Sequence, residues 1–218
     1  GITYFLMPLR QDGVEIRPIR QVTGTSEFNE VFFEGARAKA IDVVGGVNNG
    51  WKVAMGTLAF ERGASTLGQQ LNFRNELDTI VAVARANGRI DDPVIRQRLA
   101  DCYARVQIMR WNGMRVLTQF LKGHHPGPDG AISKLYWSEY HKMVTELGVD
   151  IIGAAAMTPS GRKPSSAFQC DDAGAPNSTW SWVGTFLNAR AGTIYAGSSQ
   201  IQRNIIGEMV LGLPKEPK

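Results

Sequence analysis

Apolar residues alternate with polar ones over the first stretch of the chain, then settle into three-and-four spacing for most of the remainder. Residues 1–44 read as β-structure: ITYFLMPL, VEIRPIR and a run ending in EVFF, divided by the turn signals Gln11-Asp12-Gly13 and Thr23-Gly24-Thr25. Val14, Ile16 and Pro18 alternate with Glu15 and Arg17, which predicts a half-buried strand. Three strands with one apolar face are only marginally stable alone. The chain also opens inside a strand-like run, so the expectation is a fragment, with the rest of a sheet upstream of Gly1.

After Gly45-Gly46 and Asn48-Asn49-Gly50 the period becomes helical. Val53, Leu58, Leu67, Leu71, Leu77, Ile80, Val81 and Ala84 predict one long helix from Trp51 to about Ala86, kinked near Gly63 or Gly68. Asp91-Asp92-Pro93 opens a second helix with an aspartate cap and a first-turn proline, running to about Lys122 through Ile95, Leu99, Tyr103, Val106, Met109 and Val116. A third runs from Gly130 to about Met157. Residues 158–179, rich in Ser, Pro, Gly and Asp, read as a long loop. Short helices follow at Trp180–Arg190 and Gln200–Leu211. Between them lies a small-residue turn, Ala196-Gly197-Ser198-Ser199. Ser199 or Ser198 would cap the last helix, Gln200 and Gln202 offer amide groups, and Ile201, Ile205 and Ile206 would form its buried face. Long antiparallel helices joined by short turns predict a four-helix bundle.

The chain has 218 residues, 43% hydrophobic and 20% charged, which is the composition of a globular protein with a substantial core. No apolar run is long enough to cross a bilayer, and the expected location is the cytoplasm. Its 24 basic and 20 acidic residues leave a net charge of +4, scattered rather than striped. That pattern argues against a nucleic-acid groove and suits an anionic ligand such as a phosphorylated cofactor. Cys102 and Cys170 are expected to be reduced thiols, too few and too far apart for a metal site.

Few residues could carry chemistry. Glu61-Arg62, in LAFERGA on the first long helix, reads either as a solvated surface pair or as a general base with a desolvated carboxylate tuned by its neighbour. His124-His125 lies in a turn with no third ligand at useful spacing, and His141 reads as a packed or surface histidine. Ser160-Gly161-Arg162-Lys163 lacks the strand and helix that would make it a phosphate loop. Trp180, Trp182 and Phe186 read as core.

Three stretches then carry a resemblance: GTSEFNEVFFEGARA, VVGGVNNGWKVAMGTLAFERG and IYAGSSQIQRNIIGEMVLGLP. With them the chain resembles the C-terminal half of an acyl-CoA dehydrogenase. The resemblance implies a mostly α fold, a C-terminal four-helix bundle over residues 45–218 preceded by the tail of a middle β-domain over residues 1–44. It implies FAD as cofactor, an acyl-CoA thioester as substrate and electron-transfer flavoprotein as acceptor. The implied reaction is α,β-dehydrogenation, in which a carboxylate takes the α-proton and the β-hydrogen leaves as hydride to the flavin.

In many members the base is the glutamate of a Tyr-Glu-Gly motif, where this sequence has Tyr195-Ala196-Gly197. Some branches place the base on the long helix immediately before an arginine, and Glu61-Arg62 matches that placement. The resemblance therefore implies Glu61 as base, Arg62, Tyr195 and Gly197 at the substrate, and Ser198, Gln200 and Gly153 at FAD. Asp150 and Ala154 replace the Gln and second Gly of a flavin-contact motif, and the Arg-x-x-Phe element is not evident near Gly88-Arg89. These departures resemble an actinobacterial branch whose members pair unlike subunits. The expectation is one subunit of a homo- or hetero-oligomer joined through the bundle, acting on a bulky or steroid-like acyl-CoA. A non-catalytic partner subunit is the alternative, and an acyl-CoA oxidase would differ only in oxygen access to the reduced flavin.

Overall fold

The fold is that of a computed structural model, which describes residues 1–64, 66–124, 127–128, 130–157 and 181–215, with backbone alone for the helical residues among 59–67. The loop predicted at 158–179 and Ser160 to Lys163, Cys170, Trp180 and His125 lie outside the described residues. The chain forms two compact units, residues 1–64 and 65–218.

In the first unit, β1 (Tyr4–Phe5) pairs antiparallel with β4 (Val43–Val44), and β2 (Val14–Ile19) with β3 (Phe28–Phe33). The predicted strands are present, but the half-buried face is not. Ile16 is 44% exposed and Phe33 59%. A two-stranded ribbon satisfies backbone hydrogen bonds along one edge of each strand, and no layer of described residues covers its faces. Arg17 instead lies 4.4 Å from the Phe32 ring and pairs with Glu15 at 2.7 Å. Helix α1 (Gly50–Ala64) completes the unit. The single long helix expected from Trp51 to Ala86 is thus described as α1 and α2 (Thr66–Ala86), with Ser65 between them outside the described residues.

The second unit is helical: α2, α3 (Pro93–Leu121), α4 (Gly130–Ile152), α5 (Trp182–Ala189) and α6 (Ser199–Ile205). Each of the three long helices buries apolar residues at the same four-three-four spacing. These are Phe73, Leu77, Ile80 and Ala84 on α2; Ile95, Leu99, Cys102 and Val106 on α3; Tyr140, Val144, Leu147 and Ile151 on α4. Such a narrow stripe, close to a seven-residue repeat, lets helices pack nearly parallel with interdigitating ridges. Leu71 and Tyr103, expected on the inner stripe, are exposed because Phe73 and Cys102 set the phase of the buried face.

Trp182 joins the same core from α5. It fits because Gly148 has no side chain: a Cβ there would stand 3.3 Å from Trp182 Cε3. Glu76 and His141 bridge α2 and α4 at 3.2 Å in a largely buried position.

Helix ends follow the capping signals. Asp92 caps α3, its carboxylate accepting from Val94 N at 2.8 Å and Ile95 N at 3.3 Å, with Pro93 in the first turn. Asp92→Ala is expected to lower stability by about 1 kcal/mol, measured by denaturant unfolding, because two first-turn amides lose their acceptor. At its other end α4 tightens into a 3₁₀ turn, Gly153–Met157, so the α-helical part is shorter than the predicted run to Met157. No helix is long and apolar enough to cross a membrane among the described residues.

Candidate functional site

The segment from Arg190 to Arg203 turns the chain from α5 into α6 against one side of α4. Ser181 caps α5 by accepting from Gly184 N at 3.1 Å, and the helix ends at Ala189. Arg190 then anchors the start of the corner. Its guanidinium lies 4.1 Å from the Phe186 ring, donates to the Lys142 carbonyl at 3.3 Å and reaches Glu146 at 3.5 Å.

A 3₁₀ turn, Ala191–Thr193, brings Gly192 against Trp137, where a Cβ would come within 3.3 Å of the indole. Lys134, 5% exposed, donates its ammonium to the Gly192 carbonyl at 2.8 Å. Tyr195 follows with its ring 6.4 Å from that of Trp137. It remains 42% exposed, and partial burial of the phenol raises its pKa, so it stays protonated and neutral at physiological pH.

Two consecutive left-handed residues make the sharpest bend: Ala196 at φ 53° and Gly197 at φ 93°. Glycine adopts this conformation freely, whereas alanine pays a steric penalty of about 1–2 kcal/mol. Gln202 holds the pair, donating from Nε2 to the Ala196 carbonyl at 3.2 Å and the Gly197 carbonyl at 3.3 Å. Two carbonyl acceptors require the amide nitrogen to face them, which leaves the buried Oε1 without a partner. The predicted buried face of the last helix is therefore corrected. Gln202 is 0% exposed while Ile201 is 51% exposed, because the bend needs a donor beneath it more than an isoleucine needs burial.

Ser198, rather than Ser199, is the cap of α6, accepting from Ile201 N at 3.4 Å. Ser199 points the other way and donates its hydroxyl to Glu139 Oε1 at 2.7 Å. Beyond Ile205 the helix widens into a π turn, Ile206–Val210.

Glu139 accepts from two donors, Lys142 at 2.8 Å on its Oε2 and the Ser199 hydroxyl, and faces the Arg203 guanidinium at 4.0 Å. The Lys142 hydrogen bond, then that of Ser199, holds its carboxyl below the usual carboxylate range. Since the folded-state pKa is the lower one, this contribution to stability is present above the unfolded carboxylate value and is lost as pH falls through the folded one. The stability difference between wild type and Glu139→Gln, measured by unfolding at several pH values, is expected to shrink on acidification through that window.

Of the residues named from sequence, Tyr195, Gly197, Ser198 and Gln200 come together in this corner. Gln200 is exposed, and its amide makes no hydrogen bond among the described residues. Gly153, at φ 68°, lies just beyond the far end of α4, roughly 20 Å along the helix from Glu139 at the standard rise. Asp150 beside it pairs with Arg98 at 2.6 Å. Glu61 and Arg62 lie on α1, and their side chains are outside the described residues. His124 is exposed, and Cys102 is a buried core thiol pushed up to about 12 by desolvation, which removes it as a nucleophile. Lys134 and Glu139 carried no sequence signal: each is a charged residue on an amphipathic helix until the corner meets it.

A family model described as "Acyl-CoA dehydrogenase, C-terminal domain" matches residues 48–211, from the start of α1 through the corner and α6. This chain belongs to the acyl-CoA dehydrogenase family. It is 45% identical to acyl-CoA dehydrogenase IpdE1 of Mycobacterium tuberculosis, covering 100% of this chain and 52% of that protein. It is likewise 45% identical to acyl-CoA dehydrogenase IpdE1 of Mycolicibacterium smegmatis, over 100% of this chain and 50% of that protein. The chain thus spans about half the length of these acyl-CoA dehydrogenases. A solved structure described as "Tcur3481-Tcur3483 steroid ACAD" superposes with a TM-score of 0.80 at 24% identity, covering 98% of this chain and 52% of that one. This superposition confirms the fold expected for an acyl-CoA dehydrogenase C-terminal region, and the mostly helical architecture agrees with it.

Proposed function

We propose that this chain is the C-terminal part of one subunit of a heteromeric, FAD-dependent acyl-CoA dehydrogenase in which Glu61 is the α-proton base. The observation that carries the reading is Ala196. It sits at the apex of the corner, in a left-handed conformation, with a methyl group where many family members have a carboxylate. A methyl group takes no proton, and the long-helix Glu61-Arg62 pair is the arrangement some branches use instead.

The corner fits a flavin. Gln200 offers an exposed amide uncommitted among the described residues, and Ser198 keeps its hydroxyl proton after accepting from Ile201 N. Bound FAD supplies the acceptor for the β-hydrogen as hydride. On this reading Ser198 and Gln200 orient the flavin, while Tyr195 and Gly197 wall the thioester. Arg62 stands at the substrate, and Glu61 accepts the α-proton on a carboxylate oxygen. Electron-transfer flavoprotein would be the final electron acceptor of such an enzyme. The far end of α4 fits the cofactor less well: Asp150 and Ala154 stand where the resemblance has Gln and Gly, and a carboxylate, here paired to Arg98 at 2.6 Å, donates no hydrogen bond to a pyrophosphate. That replacement favours the second reading, a partner subunit without a productive flavin site.

A bulky, steroid-like acyl group and an unlike partner are supported by the structural neighbour, a steroid ACAD named for two proteins. The test is to purify the full-length protein alone and with a candidate partner, record the flavin absorbance, and assay steroid-derived and straight-chain acyl-CoA thioesters. Flavin and activity that require the unlike partner support the proposal. Full flavin occupancy in the lone homo-oligomer counts against it.

A further inference from the structure

The corner is held at both ends by α4, through Lys134 and Glu139, two residues that the sequence did not single out. At one end the Lys134 ammonium meets the Gly192 carbonyl at 2.8 Å, and at the other Glu139 receives the Ser199 hydroxyl at 2.7 Å. Lys134 and Glu139 are five positions apart, roughly 7.5 Å along the helix axis. The intervening Trp137 and Ser138 lie against Gly192, and Trp137 also stands beside the Tyr195 ring. The chain from Thr193 to Ser198 therefore runs between two fixed points on one helix and rests on an indole in the middle.

We propose that Lys134 and Glu139 are positioning residues of this corner: by pinning Gly192 and Ser199 they set where Tyr195, Ser198 and Gln200 stand relative to a flavin. The inference rests on the reading of the corner as a flavin-facing wall, and adds the residues that place it. The chemistry of the two contacts supports the assignment. Apolar side chains of similar volume stabilise a buried position as well as a cation does. What the ammonium adds is direction, since it fixes one carbonyl of a turn that otherwise has only local hydrogen bonds among the described residues. Ser199 is similar: its neighbour Ser198 already caps α6, so the Glu139 bond adds no cap and ties the helix start to α4. Gln202 secures the bend between the two anchors from within the corner.

The test uses the full-length protein with its partner subunit, carrying Lys134→Met or Glu139→Gln, and Glu139→Asp as the conservative variant. FAD is the probe, followed by its dissociation constant and its visible spectrum, alongside the helical circular dichroism signal. The expected result is FAD affinity weakened about tenfold or more, the size of one lost charged hydrogen bond. The flavin spectrum shifts, the helical signal stays unchanged, and Glu139→Asp recovers part of the affinity. Folded Lys134→Met and Glu139→Gln proteins with wild-type affinity and spectrum overturn the proposal. If Lys134→Met does not fold, Glu139→Gln decides, since its side chain is only partly buried. If the wild-type assembly itself binds no flavin, the cofactor reading fails separately. Amide exchange over residues 193–199 then judges the anchors: faster exchange in Glu139→Gln supports them, and unchanged exchange overturns them.

Discussion

Glu61→Gln in the full-length protein, assembled with the proposed partner, is expected to lower turnover by about 10²–10⁴-fold, the usual contribution of a positioned general base. Glutamine keeps the shape of the side chain and removes the group that accepts the proton. Flavin binding is therefore expected to survive, and substrate to bind with a dissociation constant near that of wild type. A loss of turnover at unchanged substrate affinity is the sign of an interaction made in the transition state. Steady-state kinetics with a dye acceptor, together with flavin absorbance, measure both quantities. Activity retained within a few-fold would sink the assignment of Glu61 and favour a partner subunit without a base. Ala196→Glu in the Glu61→Gln background sharpens the test, because it returns a carboxylate to the corner. Some recovery of turnover is expected if the corner faces the acyl α-carbon.

The largest expected effect on stability is at Trp182. Its side chain is 1% exposed and packs into the core of the helical unit beside Gly148. Trp182→Ala removes the whole indole and leaves a space that the long helices cannot close without losing their own packing. The expected cost is about 3–5 kcal/mol, read as a lower denaturant midpoint of the helical signal. Trp182→Phe, which keeps most of the apolar volume, is expected to cost clearly less. Because α5 leads directly into the corner, the alanine variant is also expected to disturb Arg190 and the turn after it. The reciprocal change, Gly148→Val, places methyl groups where the indole now lies and is expected to destabilise by overpacking.

The sequence showed the helical unit better than it showed the β-ribbon. On α2, α3 and α4 the buried residues recur at regular spacing, and such a period is visible in any linear reading. Only its phase slipped, at Leu71 and Tyr103. Asp92-Pro93 marked a helix start because a cap is a local interaction between residues two and three apart. On β2, alternation predicted an inner and an outer face, yet alternation says nothing about whether a second layer is present. Exposure of Ile16 and Phe33 was thus beyond its reach.

The family was carried by the sequence alone, in the long-helix and corner motifs, and so were the small-residue turn and the loss of a carboxylate at Ala196. These are properties of contiguous residues. Tertiary structure alone decided what holds the turn: Lys134 meets Gly192 across 58 residues and Ser199 meets Glu139 across 60. It also decided that Gln202, not Ile201, lies inside, since the carbonyls of two left-handed residues take their hydrogen bonds from its buried amide. A linear pattern ranks side chains by polarity, whereas a folded corner ranks them by which backbone groups they leave unpaired, and here the second ranking prevails.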